Sequence, residues 1–276
     1  MRIKDMILLT DQVHKSSPAA HVALELARLT GAHLNAVGLA IDPVLPGVMM
    51  APIPVEAMEA TRLQAVASAR AGLDRFAALA AETDVSTESR LSEVMIGGAV
   101  ETFAAQCRLT DLVVIGQSDP DNPEPLRDQL IEAALFEGVA PSLLVPYAGV
   151  EHFTCDNVMI AWDGSRTAAR AVHAALPILA LAKKVTILIV AGPRFAGEPG
   201  ADLATLLARH GCLVTVETIP AGSSGVAEAL LNHITDGGFD LVVMGGYGHS
   251  RLQEFIFGGA TRDMLKSMTV PVIMAH

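Results

Sequence analysis

Two glycine clusters are the residues whose type and spacing could do chemistry. Gly245-Gly246-Tyr247-Gly248-His249-Ser250-Arg251 closes an apolar run, Leu241 to Met244. After nine intervening residues Gly248 is followed by Gly258-Gly259-Ala260-Thr261, which opens a helical pattern. Glycine permits positive φ and lets an anion approach main chain that a Cβ would block. A helix start just after a strand adds unpaired amides and the positive end of a dipole. The chemistry to expect is therefore the holding of an anion, phosphate above all. His249, inside the loop, faces either a phosphate or water. Bond-breaking machinery is not legible: there is no GxSxG, no HExxH and no Walker lysine in a GxxxxGK context.

The elements that must position these residues repeat along the chain. Met6-Ile7-Leu8-Leu9-Thr10-Asp11 matches Val158-Met159-Ile160-Ala161-Trp162-Asp163 at an offset of 152 residues. Asp111 to Gly116 matches Asp240 to Gly245, and Ala140 to Val145 matches Val270 to Ala275, at offsets of 129–130. The matches occur in the same order in both halves, which argues for duplication, with some 22 extra residues in the first half. Short β-branched runs alternate with helical patterns, the signature of βα units and parallel sheets. The second half predicts strands near 157–162, 184–190, 212–218, 240–244 and 270–275, and helices near 165–181, 200–210, 223–235 and 258–268. The first half predicts strands near 4–9, 33–40, 85–91, 111–115 and 141–146, and helices near 17–30, 56–81, 98–108 and 127–137. The extra residues fall in the Pro- and Met-rich stretch from 42 to 55, which reads either as a flap or as a surface connection packed on the neighbouring helix. Domain boundaries are expected at 1–150 and 151–276.

Composition narrows the classes. Apolar residues make up 51% and charged residues 18%, with a mean hydropathy of +0.42. A transmembrane helix needs roughly 18–20 apolar residues in a row, and the longest candidate, Ala171 to Ala182, contains His173 and Pro177. The N-terminal apolar stretch is too short for a signal peptide. The expectation is a cytoplasmic protein without a membrane partner, its hydropathy explained by buried sheets. A net charge of −11 opposes nucleic acid as a partner. Cys107, Cys155 and Cys212 lie far apart with no CxxC pair, so buried reduced thiols are expected, with neither a disulfide framework nor a zinc site.

The spacing of GxxG, nine residues, then a further glycine resembles the nucleotide motif of the ATP-binding universal stress proteins, with Gly245, Gly248 and Gly258 on its three glycines. The strand ending Trp162-Asp163-Gly164-Ser165 is similar to the family's first strand, whose terminal Asp lies beside the nucleoside. Thr186 to Ala191 resembles the strand whose backbone meets adenine, which puts Val190 there. The resemblance covers the second half well and the first half weakly. It implies two tandem Rossmann-like (adenine nucleotide alpha hydrolase-like) α/β domains, each a five-stranded parallel sheet with helices on both faces. It also implies ATP or a related adenine nucleotide, with Mg, as the ligand, and a homodimer of chains whose two domains pack as an intramolecular pseudo-dimer through the final strands 142–146 and 270–275. The role implied is a stress-response binding protein without useful turnover. A scaffold that binds no nucleotide and a slow ATPase are the alternatives.

One departure matters. After the third glycine the family's nucleotide binders carry Ser or Thr, and here stands Gly259. The amide remains but the hydroxyl is gone, a loss worth roughly 0.5–1.5 kcal/mol. Thr261 would substitute only if the turn were rearranged. The glycine loop is thus kept either for nucleotide or for fold reasons. In the first half the matching loop is Gln117-Ser118-Asp119-Pro120-Asp121-Asn122-Pro123-Glu124-Pro125. Its carboxylates would repel phosphate and its prolines remove amides, so no nucleotide is expected there, and an acidic solvated loop is the simple account. Asp163 or Ser165 would cap the following helix. His21 and His173 recur at equivalent helix positions, which suggests packing rather than catalysis.

Overall fold

Short runs of Val, Ile, Leu and Met become strands because their apolar side chains can be buried on both faces of a sheet. In the first repeat these are β1 (Asp5–Leu9), β2 (His33–Asp42), β3 (Thr87–Met95), β4 (Leu112–Gly116) and β5 (Ser142–Val145). In the second they are β6 (Asn157–Ala161), β7 (Lys184–Ala191), β8 (Val214–Pro220), β9 (Leu241–Gly245) and β10 (Val272–Ala275). Helices α1 (Pro18–Thr30), α2 (Val55–Ala80), α3 (Ile96–Cys107), α4 (Arg127–Phe136), α5 (Arg166–Leu179), α6 (Ala201–Arg209), α7 (Val226–Gly237) and α8 (Ala260–Ser267) alternate with them. The structure is a computed structural model, and it describes residues 2–13, 16–42, 55–150, 152–191, 199–220, 225–246 and 259–276. The predicted elements are all found, with ends shifted by a few residues. The 43–54 stretch lies outside the described residues.

The chain divides into two compact units, Ile3–Ala140 and Pro141–His276 together with Met1–Arg2. In the first unit the strand order is β3-β2-β1-β4, and in the second β5-β10-β9-β6-β7-β8. The orders 3-2-1-4 and 8-7-6-9 correspond strand for strand, and these ladders are all parallel. The architecture is α/β, mostly parallel and flanked by helices. The departure from a purely parallel set is β5, which pairs antiparallel with β10, Leu143 opposite Ile273, and so sits in the second unit.

The cores are the central strands. Met6 to Leu9, Leu112 to Ile115 and Leu241 to Met244 are buried throughout, at roughly 1.5–3 kcal/mol per large aliphatic side chain. The Asp that begins each matching strand has the same work in both units. Asp111 accepts hydrogen bonds from the amides of Lys4 and Asp5, and Asp240 from the amides of Asp156 and Asn157, tethering β1 and β6 at their starts.

Two expectations need correction. His21 and His173 are both exposed, so their recurrence reflects no core packing. The loop after β4 is not simply solvated, since Asp119 is buried and the side chain of Glu124 is only 9% exposed. The cysteines are free and buried as expected, and burial pushes the thiols of Cys107 up to about 12 and Cys155 up to about 11. Among the described residues no helix is long and apolar enough to cross a membrane.

Candidate functional site

At the carboxyl ends of β6, β7 and β9 the second unit gathers Asp163, Val190 and Gly245. Asp163 follows β6 by two residues and is exposed. Its Oδ1 accepts from the amide of Ser165 at 2.9 Å, while Oδ2 has no partner among the described residues. Ser165 is the N-cap of α5, its hydroxyl accepting from the amide of Ala168 at 3.1 Å, which is the capping role expected of one of this pair. Asp163 thus stands beside the positive end of a helix, with Oδ2 left over for a further donor.

Val190 offers main chain. In a parallel ladder the N–H and C=O groups of alternate residues point to opposite neighbours. The amide of Val185 donates to Leu213 on the β8 side, and Leu188 accepts from the amide of Trp162 on the β6 side. Val190, two residues beyond Leu188, therefore turns its N–H and C=O to the β6 side, where β6 has already ended at Ala161. A donor and an acceptor side by side on an open strand edge match a flat heterocycle that presents the complementary pair. Gly164, between Asp163 and Ser165, has φ 71, in the left-handed region that favours glycine, and carries no side chain that could cover that edge.

Gly245 has a cause within the protein. A Cβ there would meet the amide nitrogen of Ala168 at 2.6 Å and Thr167 Oγ1 at 2.7 Å, so its glycine lets β9 pass close under the start of α5. Gly246 is tied to β10 by a hydrogen bond from its amide to the carbonyl of Ala275 at 2.9 Å. Gly259 is the N-cap of α8 at φ −76 and ψ 140, ordinary extended backbone that any residue adopts, with no side-chain cap. Thr261, on the first turn of α8, is buried at 4% exposure, so its hydroxyl is turned into the fold. Gly248, His249 and Gly258 lie outside the described residues, as does the 222–224 turn.

The matching crevice of the first unit differs. Asp11, the counterpart of Asp163, is 6% exposed and pairs through Oδ1 with Arg127 Nη2 at 3.4 Å. The same guanidinium pairs with Glu124. Asp119 folds its own loop, accepting from the amide of Asp121 and the side-chain amide of Asn122. The repeat marks Asp11 only as the counterpart of Asp163, and no motif marks Arg127 or Gln12. An Arg opening a helix three residues after Glu124 does not by itself name Asp11 as its partner.

The model of the Universal stress protein family matches residues 214–276. A curated universal stress protein of Synechocystis sp. is 27% identical over 125 residues, a match that spans 44% of this chain and 42% of that relative. The crystal structure of a universal stress protein from Archaeoglobus fulgidus superposes with a TM-score of 0.72 at 15% identity, covering 99% of this chain and 96% of the other. A Pseudomonas aeruginosa protein of unknown function gives 0.58 at 16%, covering 99% and 92%. At such identities the structures share the fold. The match over residues 214–276 bears out the likeness to universal stress proteins.

Proposed function

We propose that this chain, whose residues 214–276 belong to the universal stress protein family, holds an adenine nucleotide in its second unit without useful turnover. The observation that carries the reading is the open station after β6. Val190 turns a donor and an acceptor to an edge that Gly164 has no side chain to cover, and Asp163 keeps Oδ2 unpaired among the described residues. A carboxylate oxygen accepts from vicinal ribose hydroxyls, and the backbone pair fits the adenine edge. Phosphates would lie over the amides around Gly248 and Gly258, held by main chain and helix end rather than by a cation. With Gly259 supplying an amide and no hydroxyl, and Thr261 buried, the phosphate end is the weaker one. The protein would act in the cytoplasm as a stress-response binding protein.

Trp162 is the chain's only tryptophan and neighbours Asp163, so its fluorescence is the reporter. Titration should give a saturable change with adenosine and with ATP, the two affinities lying close together. Ligand released from freshly purified protein and weighed by mass spectrometry identifies the natural nucleotide. Silence of Trp162 and of calorimetry with both compounds would instead favour a scaffold. That second reading has one observation in its favour, since Gly245 is explained by packing against α5 alone. Phosphate release at roughly 1–10³ per second, lost on changing Gly248, would make it an ATPase.

A further inference from the structure

The first unit has the same backbone stations at its strand ends, and the chain's own side chains stand on them. Thr10 donates its amide to Val37 as Trp162 does to Leu188, so Leu39 corresponds to Val190 and Gln12 to Gly164. Gln12 Nε2 donates to the carbonyl oxygen of Leu39 at 2.6 Å, on the edge that is open at Val190. Arg127 stands against Asp11, and Glu124, which shares that guanidinium, also accepts at Oε1 from the amides of Gln12 and Val13 at 2.7 and 3.1 Å. From α2, Arg75 Nη2 donates to the carbonyls of Asp11 and Gln12 at 2.8 and 3.1 Å. The Arg127 side chain is 4% exposed, and the crevice bounded by Asp11, Gln117, Asp119, Asn122, Glu124 and Arg127 leaves essentially no room for even a water-sized guest.

We propose that this crevice is a self-liganded site, a guanidinium pocket built by Asp11 and Glu124 whose resident ligand is the chain's own Arg127. It inverts the charge logic of an anion cradle, for two buried carboxylates require a cation between them. A planar guanidinium can bridge two carboxylates, which the point charge of an ammonium does less well. Arg127 Nη1 is buried without a hydrogen-bond partner, so the helix-borne guanidinium uses only part of its donor set. A small guanidinium free to turn would use more of it. The inference stands on contacts of the first unit alone and holds whether or not the second unit binds a nucleotide.

The test is hydrogen exchange of the full chain, read at the amides of Gln12 and Val13, combined with chemical rescue. Arg127→Ala should speed exchange there by about tenfold or more. Millimolar methylguanidinium should restore the slow exchange, while NaCl at equal ionic strength should not. A variant that is soluble only with methylguanidinium gives the same answer. Arg127→Lys keeps the charge and should fold, with intermediate exchange that methylguanidinium leaves unchanged because the ammonium fills the pocket. Unchanged exchange in both variants would overturn the proposal. So would recovery with NaCl as good as with methylguanidinium, or an Arg127→Ala chain insoluble with and without the ligand while Arg127→Lys matches the wild type.

Discussion

At the end of β1, Asp11 is buried against Arg127 and the next residue, Gln12, reaches the carbonyl of Leu39. At the end of β6, Asp163 is exposed with Oδ2 unpaired among the described residues, and the next residue is Gly164 with no side chain at all. The strands that present the two aspartates share order, direction and register. The difference between the two strand ends therefore lies in a handful of side chains at loop positions, not in the sheet. A repeated scaffold can change the side chains at its strand ends without altering its core.

Breaking the open crevice should have the largest effect. Asp163→Ala removes the free carboxylate oxygen and should weaken adenosine by roughly ten- to a hundredfold, the range for a hydrogen bond to a charged group worth about 1.5–3 kcal/mol. Trp162 fluorescence checks it, and an unchanged affinity would remove Asp163 from the site. Next comes a probe of whether the second unit needs Gly245 for itself. Gly245→Ala pushes a Cβ to 2.6 Å from the Ala168 amide, an overpacking cost of about 1–3 kcal/mol. Thermal unfolding should show it with no nucleotide present, and a destabilisation seen only in nucleotide would reassign the glycine to the ligand.

A smaller effect sharpens the phosphate end. The extended backbone at Gly259 accepts a side chain, so Gly259→Ser should tighten ATP over adenosine by up to about tenfold, as one restored hydrogen bond allows. The same hydroxyl can cap α8, a gain of only a few tenths of a kcal/mol over glycine, so calorimetry of both ligands separates the two. The smallest effect is a control in which the units should agree. With its thiol pushed up to about 12 by burial, Cys107 in the first unit is thiolate at pH 8 only to about one part in ten thousand. Cys155 in the second, at about 11, is so to about one in a thousand. Reactivity is lost as pH falls below the raised value, so iodoacetamide at pH 8 should label neither in the folded chain.

The alternation of strands and helices, the duplication, the buried cysteines, the cap at Ser165 and the likeness of residues 214–276 to the universal stress proteins were legible in the sequence. Each rests on local periodicity or on a short motif whose physics acts within a few residues. The motif glycines were legible as glycines but not in their cause: only the approach of α5 to β9 shows that Gly245 is required by packing. The exposed His21 and His173, and the burial of Thr261, depend on which face of a helix meets the sheet, which spacing alone left open. The filled crevice was out of reach altogether. Asp11 and Arg127 are 116 residues apart, and Gln12 and Leu39 are 27 apart. Nothing in their types marks them as partners until the parallel ladders bring the ends of β1, β2 and β4 together. The acidic loop looked solvated because charge is read from sequence without its neighbours, and it is the tertiary fold that supplies the guanidinium and excludes the water.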